Sequence, residues 1–158
     1  MALNNAFTVS QTLTATEMNN LPFGVADHTS SASDDTLSTS LTASLGMSVT
    51  WTADSTRLYK ITYYEPQVRS SSVLSSYVDL ELRQTNVSGT QLQQIFVGNV
   101  TAAVITTESA TVTYIGTFSS GSRTVIGAAL VSSTTGAPKL LRSGTSRAYI
   151  ICEDVGLA

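Results

Sequence analysis

Charge is scarce in this chain: Asp, Glu, Lys and Arg together make up 12% of its residues, against about 25% in an ordinary soluble domain. The net charge is -3 and the isoelectric point about 4.9. The basic residues Arg57, Lys60, Arg69, Arg83, Arg123, Lys139, Arg142 and Arg147 are scattered singly, so no stripe forms along the sequence to neutralise phosphates, and nucleic acid is not an expected partner. Cysteine is reduced to Cys152, which excludes an intrachain disulfide. Histidine is reduced to His28, so a Ser-His-Asp triad or a histidine metal site would have to be assembled around that one ring. A phosphate-cradling glycine loop and a Cys-x-x-Cys pair are both lacking. No apolar run nears the 18 or so residues of a membrane helix, which argues against membrane insertion. The opening Met-Ala-Leu-Asn-Asn-Ala-Phe lacks the basic start and apolar core of a secretory signal. Synthesis and residence in a cytoplasm are expected.

What the chain does have is Ser, Thr and β-forming apolar residues. Hydrophobic types make up 42% and mean hydropathy is +0.14, over 158 residues, enough for one domain with a real core. Short alternating runs recur, broken by Gly, Ser, Asn and Pro. Leu45, Met47, Val49 and Trp51 share one face. Tyr59, Ile61 and Tyr63 alternate with Leu58, Lys60 and Thr62, and Pro66, lacking an N–H, is expected to end that strand. Val78, Leu80 and Leu82 alternate with Asp79, Glu81 and Arg83, and 86–89 reads as a turn. Further strands are expected over 91–97, over Val112 to Phe118, over 124–131 and over 147–154, with a loop-rich return near 101–106. The capping box Thr14-x-x-Glu17 opens a short helix, Ala15 to Leu21, stopped by Pro22. About eight strands spaced as hairpins predict an all-β fold, an antiparallel two-sheet sandwich of jelly-roll type with one short N-terminal helix. An immunoglobulin-like sandwich is the rival and lacks the paired cysteines around a tryptophan. The expected division is an N-terminal arm, 1–22, and a sandwich, 23–158.

Residues with chemical potential fall into unpromising settings. His28 lies in the polar stretch from Asp27 to Asp35, which reads as a solvated loop without the rigid support a catalytic base needs. Asp27, Asp34 and Asp35 do not match the spacing of a calcium loop. Glu153 and Asp154 read as charged strand-end residues, and Cys152, between Ile151 and Glu153, as a small buried hydrophobe. Asn86-Val-Ser88 and Asn99-Val-Thr101 match the glycosylation sequon, which should stay unmodified without secretion. No catalytic, cofactor-binding or metal residues are expected, and the protein is not expected to be an enzyme. Association is the better signal. The strands 124–131 and 147–154 are apolar on both faces, which predicts a second face buried by another copy, with Ile126, Leu130, Tyr149 and Ile151 as candidate interface residues. In the arm, Leu3, Phe7, Val9 and Leu13 are candidate attachment residues, an anchor or a clasp on a neighbouring subunit. Alternatively, Phe7, Val9 and Leu13 form an ordinary first strand of the sandwich.

Two segments resemble small bacteriophage virion proteins. The stretch Phe7-Thr-Val-Ser-Gln-Thr-Leu-Thr-Ala-Thr-Glu-Met-Asn-Asn-Leu-Pro-Phe-Gly-Val25 is similar to the "T-A-x-x-M-N-N-L-P-[WF]-G-V" opening of phage structural proteins. Val49-Thr-Trp-Thr-Ala, Arg57-Leu-Tyr-Lys-Ile-Thr62 and the closing Tyr149-Ile-Ile-Cys-Glu-Asp-Val-Gly156 resemble strands of phage head-decoration and tail-appendage proteins. The resemblance implies a trimeric jelly roll similar to tumour-necrosis-factor-type domains, carried on the virion surface after synthesis in the host cytoplasm. The implied function is that of a capsid decoration (cement) or short head-fibre protein, with major capsid or tail proteins as partners. The alternative is a tail-fibre or tail-tip module that binds a host surface glycan or protein.

Overall fold

The computed structural model of the protein describes residues 20–98 and 105–158. Ten strands follow one another: β1 (Gly24–Ser31), β2 (Asp35–Thr36), β3 (Thr42–Ala53), β4 (Arg57–Arg69), β5 (Tyr77–Gln84), β6 (Gln91–Gly98), β7 (Thr107–Gly116), β8 (Gly121–Val131), β9 (Lys139–Leu140) and β10 (Ala148–Leu157). Every pairing is antiparallel. One sheet runs β1-β10-β4-β7, with the two-residue strands β9 and β2 continuing beside β4, and the other runs β3-β8-β5-β6. Taking the eight long strands in chain order as one to eight, the sheets read 1-8-3-6 and 2-7-4-5. That is the double Greek key of a jelly roll, as the strand pattern predicts. No helix occurs among the described residues. The expected helix lies outside them except for Asn20 and Leu21, which form a turn and a bend, and most of the expected return near 101–106 lies outside them as well.

The period-two pattern explains why these segments become strands. Met47, Val49, Trp51, Tyr59, Ile61, Tyr63, Val78, Leu80, Leu82, Val112, Val125, Ile150 and Cys152 all enter one core between the sheets, while their sequence neighbours face outward. Trp51 packs edge-on against Phe118, with centroids 5.0 Å apart, and lies 5.5 Å from Tyr59; such tilted contacts suit the ring quadrupoles. Gly127 faces the Tyr63 ring so closely that an added Cβ would lie 2.9 Å from it. A slot without a side chain in β8 is therefore what lets a tyrosine fill the middle of the sandwich.

Leu45 does not share the inward face of Met47, Val49 and Trp51: it is exposed, because the pairing of β3 with β8 shifts between Ala43 and Ser48. Three further expectations need correction. The first concerns Pro66. Strand β4 passes through it to Arg69, because pairing with β7 shifts between Glu65 and Val68, and a bulge is where a ladder tolerates a residue without an N–H. The second concerns the stretch Asp27 to Asp35, which is largely strand rather than loop. Its backbone pairs with β10 from Gly24↔Asp154 to Ser31↔Ala148, so hydrogen bonding to an apolar neighbour overrides its own polar composition. The third is that β7 stops at Gly116, leaving Phe118 buried beyond the strand end rather than within it.

The two long sides of the sandwich differ. On one, Thr29 donates its Oγ1 hydrogen to the Ser48 carbonyl at 2.8 Å, and the Thr50 amide donates to Asp27 Oδ2 at 2.6 Å. These side-chain bonds stitch β1 to β3 across the two sheets. On the other side β6 faces β7, and among the described residues no hydrogen bond joins them.

Candidate functional site

The most elaborate polar cluster lies inside the fold. Glu65 accepts from Arg142 Nε at 3.0 Å and Nη2 at 2.5 Å, and both side chains are fully buried. Tyr63 donates its hydroxyl hydrogen to Glu65 at 2.5 Å. Arg142 further donates to Ser44 Oγ and to the Leu45 carbonyl, at 2.7 and 2.9 Å. Burial alone would lower the Arg142 guanidinium, but the Glu65 carboxylate outweighs it and holds the pKa raised; burial, then Glu65, pushes the Tyr63 phenol well above its usual value. Every component is occupied by another and none meets solvent, so the cluster can hold a bulge and a loop together but has no face for a substrate.

The residues singled out by sequence are dispersed. His28 is exposed on β1, opposite Ile151. Asp27 holds β3 as described; Asp34 accepts from the Arg142 amide at 2.8 Å, and Asp35 from the Leu45 amide at 2.8 Å. These three aspartates are each committed to a different backbone amide. Cys152 is buried in the core, where burial, followed by the nearby Asp27, pushes its thiol up to about 12. Glu153 and Asp154 point to opposite faces. Glu153 meets Lys60 at 3.1 Å on the half-exposed outside. Asp154 is buried against Arg57, accepting from Nε and, at 2.6 Å, from Nη2. Burial would raise the Asp154 carboxyl, yet Arg57 and the Gly156 amide hold it below the usual range. Phe23 lies over the same guanidinium, 3.7 Å from ring centroid to Cζ. Sequence reading missed both buried ion pairs, because the partners lie in strands and loops far apart along the chain.

The outer faces of the sheets remain. On the β1-β10-β4-β7 sheet, Tyr149 is 40% exposed and its ring meets that of Tyr64 at 5.1 Å and 30°. Ile151 lies beside them, opposite Thr62, and Ile115 is exposed on β7. The charged pair Lys60–Glu153 neutralises itself there. On the β3-β8-β5-β6 sheet, Ile126 and Leu130 face outward from β8, opposite Arg83 and Asp79 of β5. Ile126 is nevertheless only 7% exposed, covered by its cross-strand neighbours. The four candidate interface residues thus divide, two to each sheet, on faces that point away from one another, and no single flat contact takes all four. The attachment candidates Leu3, Phe7, Val9 and Leu13 lie outside the described residues.

The same outer face carries an unexpected acid. Asp79 is 6% exposed, its Oδ1 has no hydrogen-bond partner, and burial beside Glu81 pushes it up to about 6; Glu81 itself is bound by Arg83. Farther along, Tyr77 and Phe96 meet edge-on at 5.1 Å above a cavity of about 460 Å³ that Ser75, Ser76 and Gly98 complete.

No protein-family model matches the chain, and no curated protein matches it. Among solved structures it is similar to Eiger TNF from S. frugiperda, with 12% identity, a TM-score of 0.46, and coverage of 85% of this chain and 94% of that one.

Proposed function

We propose that this chain is a structural protein of a bacteriophage particle, a homotrimer that decorates the capsid surface and has no catalytic role. The observation that carries the reading is the outer face of the β1-β10-β4-β7 sheet. A sheet face that meets water in a small sandwich is ordinarily polar. Here Tyr64, Tyr149, Ile151 and Ile115 occupy it, and its Lys60–Glu153 pair is already neutralised. Such a surface gains from burial against a copy of itself, at roughly 25 cal/mol for each Å² of apolar area removed from water. The low overall charge and the resemblance of the Phe7–Val25 and Tyr149–Gly156 segments to virion proteins support the same reading.

The second reading, a tail module that binds a host surface glycan, is favoured by the exposed Tyr77–Phe96 pair over its serine-lined cavity. Aromatic rings flanked by a few hydroxyls suit the apolar face and polar rim of a sugar. Two measurements test the proposal. Light scattering should give a particle three times the chain mass of 16.6 kDa, and a monomer at micromolar concentration would refute the trimer. Quantitative mass spectrometry of purified particles should then count hundreds of copies; a few dozen or fewer would move the protein to the tail.

A further inference from the structure

Cations are few in this chain, and most are committed. Arg57, Lys60, Arg83 and Arg142 each meet a carboxylate. Arg123 donates to the Ser119 and Ser120 carbonyls, and Arg147 to Ser30 Oγ at 3.3 Å. Arg69 and Lys139 are the exceptions among the described residues. They stand directly opposite one another on β4 and β9, which sets their Cβ atoms about 5 Å apart, and like charges opposed in this way repel. Neither has a carboxylate partner there. The Arg69 Nε is buried without a hydrogen bond, and Nη2 has only the Gly136 carbonyl, at 3.4 Å.

The fold fixes this pair in place. Val68 and Leu140 turn into the core, so Arg69 and Lys139 turn outward. Gly136 and Ala137, with φ of 83° and 52°, swing the chain into β9, and the Ser72 amide pins that turn by donating to the Thr135 carbonyl at 3.1 Å. In register beside the pair stand Thr107 of β7 and Thr36 of β2, exposed, short and uncharged, which leaves both cations accessible. Glu108 stands opposite Val68, on the other face of the pleat. The remainder of the chain supplies no acid either. Residues 99–104 contain none, and within 1–19 the one acid is Glu17. Leu21 is held at Arg57, where β4 begins. That strand is 13 residues long, or about 40 Å, whereas the stretch from Glu17 to Leu21 reaches about 14 Å at most.

We propose that Arg69 and Lys139 together bind a phosphate group. The charge count selects the ligand. A carboxylate would offset one cation, whereas a phosphate carries about -1.5 to -2 at pH 7 and offsets both. The planar guanidinium offers paired N–H donors to its oxygens, and the ammonium acts as a point charge. Two cations are too few to hold a nucleic-acid backbone, so the ligand is inorganic phosphate or a phosphomonoester.

Titration of the full chain with inorganic phosphate at pH 7.5 and constant ionic strength, followed by amide NMR, tests this. Shifts at residues 69, 107 and 139 should saturate, and Arg69→Gln and Lys139→Gln should each weaken the affinity about tenfold. Each substitution also removes a repulsion, so the fold should persist. Acetate should bind about tenfold more weakly than phosphate, since it offsets a single charge. Glucose 6-phosphate separates the two sources: binding no tighter than that of phosphate assigns the free ion, and tighter binding assigns a phosphate carried on a larger molecule. Shifts that rise without saturating would overturn the proposal. So would an affinity unchanged in either variant, or acetate binding as tightly as phosphate.

Discussion

Asp79 sits in the middle of an outer sheet face, opposite Phe96 on β6 and Leu130 on β8, and its environment is hostile to charge. Burial comes first, then Glu81; Arg83 is the one cation acting on it, and it is bound to Glu81. Because the native carboxyl titrates near 6 rather than at 3.8, the folded state holds more protons than the unfolded state between those values. Stability therefore falls as pH rises through that window, and the full penalty is present above it. Asp79→Asn should accordingly stabilise the protein at pH 7 by about 1–3 kcal/mol. The gain should shrink as pH falls below 6 and vanish by about pH 3, where the carboxyl is protonated in both states. Thermal unfolding at the two pH values measures this directly, and a gain of equal size at both would show that the effect is not protonic. Sequence reading put Asp79 on the outer face, correctly, but alternation says nothing of how much neighbouring side chains cover that face.

Strand β4 depends on a contact made from outside it. Glu65 continues the inward series of Tyr59, Ile61 and Tyr63 just before the bulge at Pro66, and Arg142, from the segment after β9, reaches in to meet it. Removing one partner from a buried ion pair leaves the other uncompensated, a loss of about 3–5 kcal/mol. Glu65→Gln should cost that much in urea unfolding, whereas Glu65→Met combined with Arg142→Met should recover a large part of it. A double variant as unstable as the single one would mean that the hydrogen bonds to Ser44 and Leu45, rather than the charges, fix the bulge. These elements also mark how far the sequence could be read. The strands β3, β4 and β5 were legible because their inward residues alternate with polar ones, and β8 because it is a continuous run of β-forming apolar residues bounded by turn residues. Strand β1 was not, since Asp27, Thr29 and Ser31 face inward at a sheet edge, where hydrogen bonds to β3 replace apolar contact. The Glu65–Arg142 pair was invisible for another reason. Nothing local distinguishes a buried arginine from the seven other cations, and only the fold brings the two residues together. The same holds for the interface candidates: strands apolar on both faces show that some apolar residues must face outward, not that the two strands belong to opposite sheets.

The division of outward apolar residues between two sheets gives the whole molecule two unlike surfaces, and the proposed trimer uses one of them. Ile151→Glu should reduce the scattering mass to that of one chain, because it sets a charge beside Tyr64 and Tyr149 within the proposed contact. Leu130→Glu, on the other sheet, should leave the mass unchanged. The reverse pattern would transfer the copy-to-copy contact to the β3-β8-β5-β6 face. The topology has a further consequence, in time. Strand β1 hydrogen-bonds along its length to β10, from Gly24↔Asp154 to Ser31↔Ala148, and β10 leaves the ribosome long after it, with strands β2 to β9 between them. At about 5–20 residues per second, its partner emerges on the order of ten seconds later. Throughout that interval β1 waits unpaired, and a waiting strand is a hazard only if it can pair with the wrong chain. Gly-Val-Ala-Asp-His-Thr-Ser-Ser is too polar to do so readily. The composition that disguised this strand in the sequence is the one that keeps the nascent chain safe until β1 and β10 can meet.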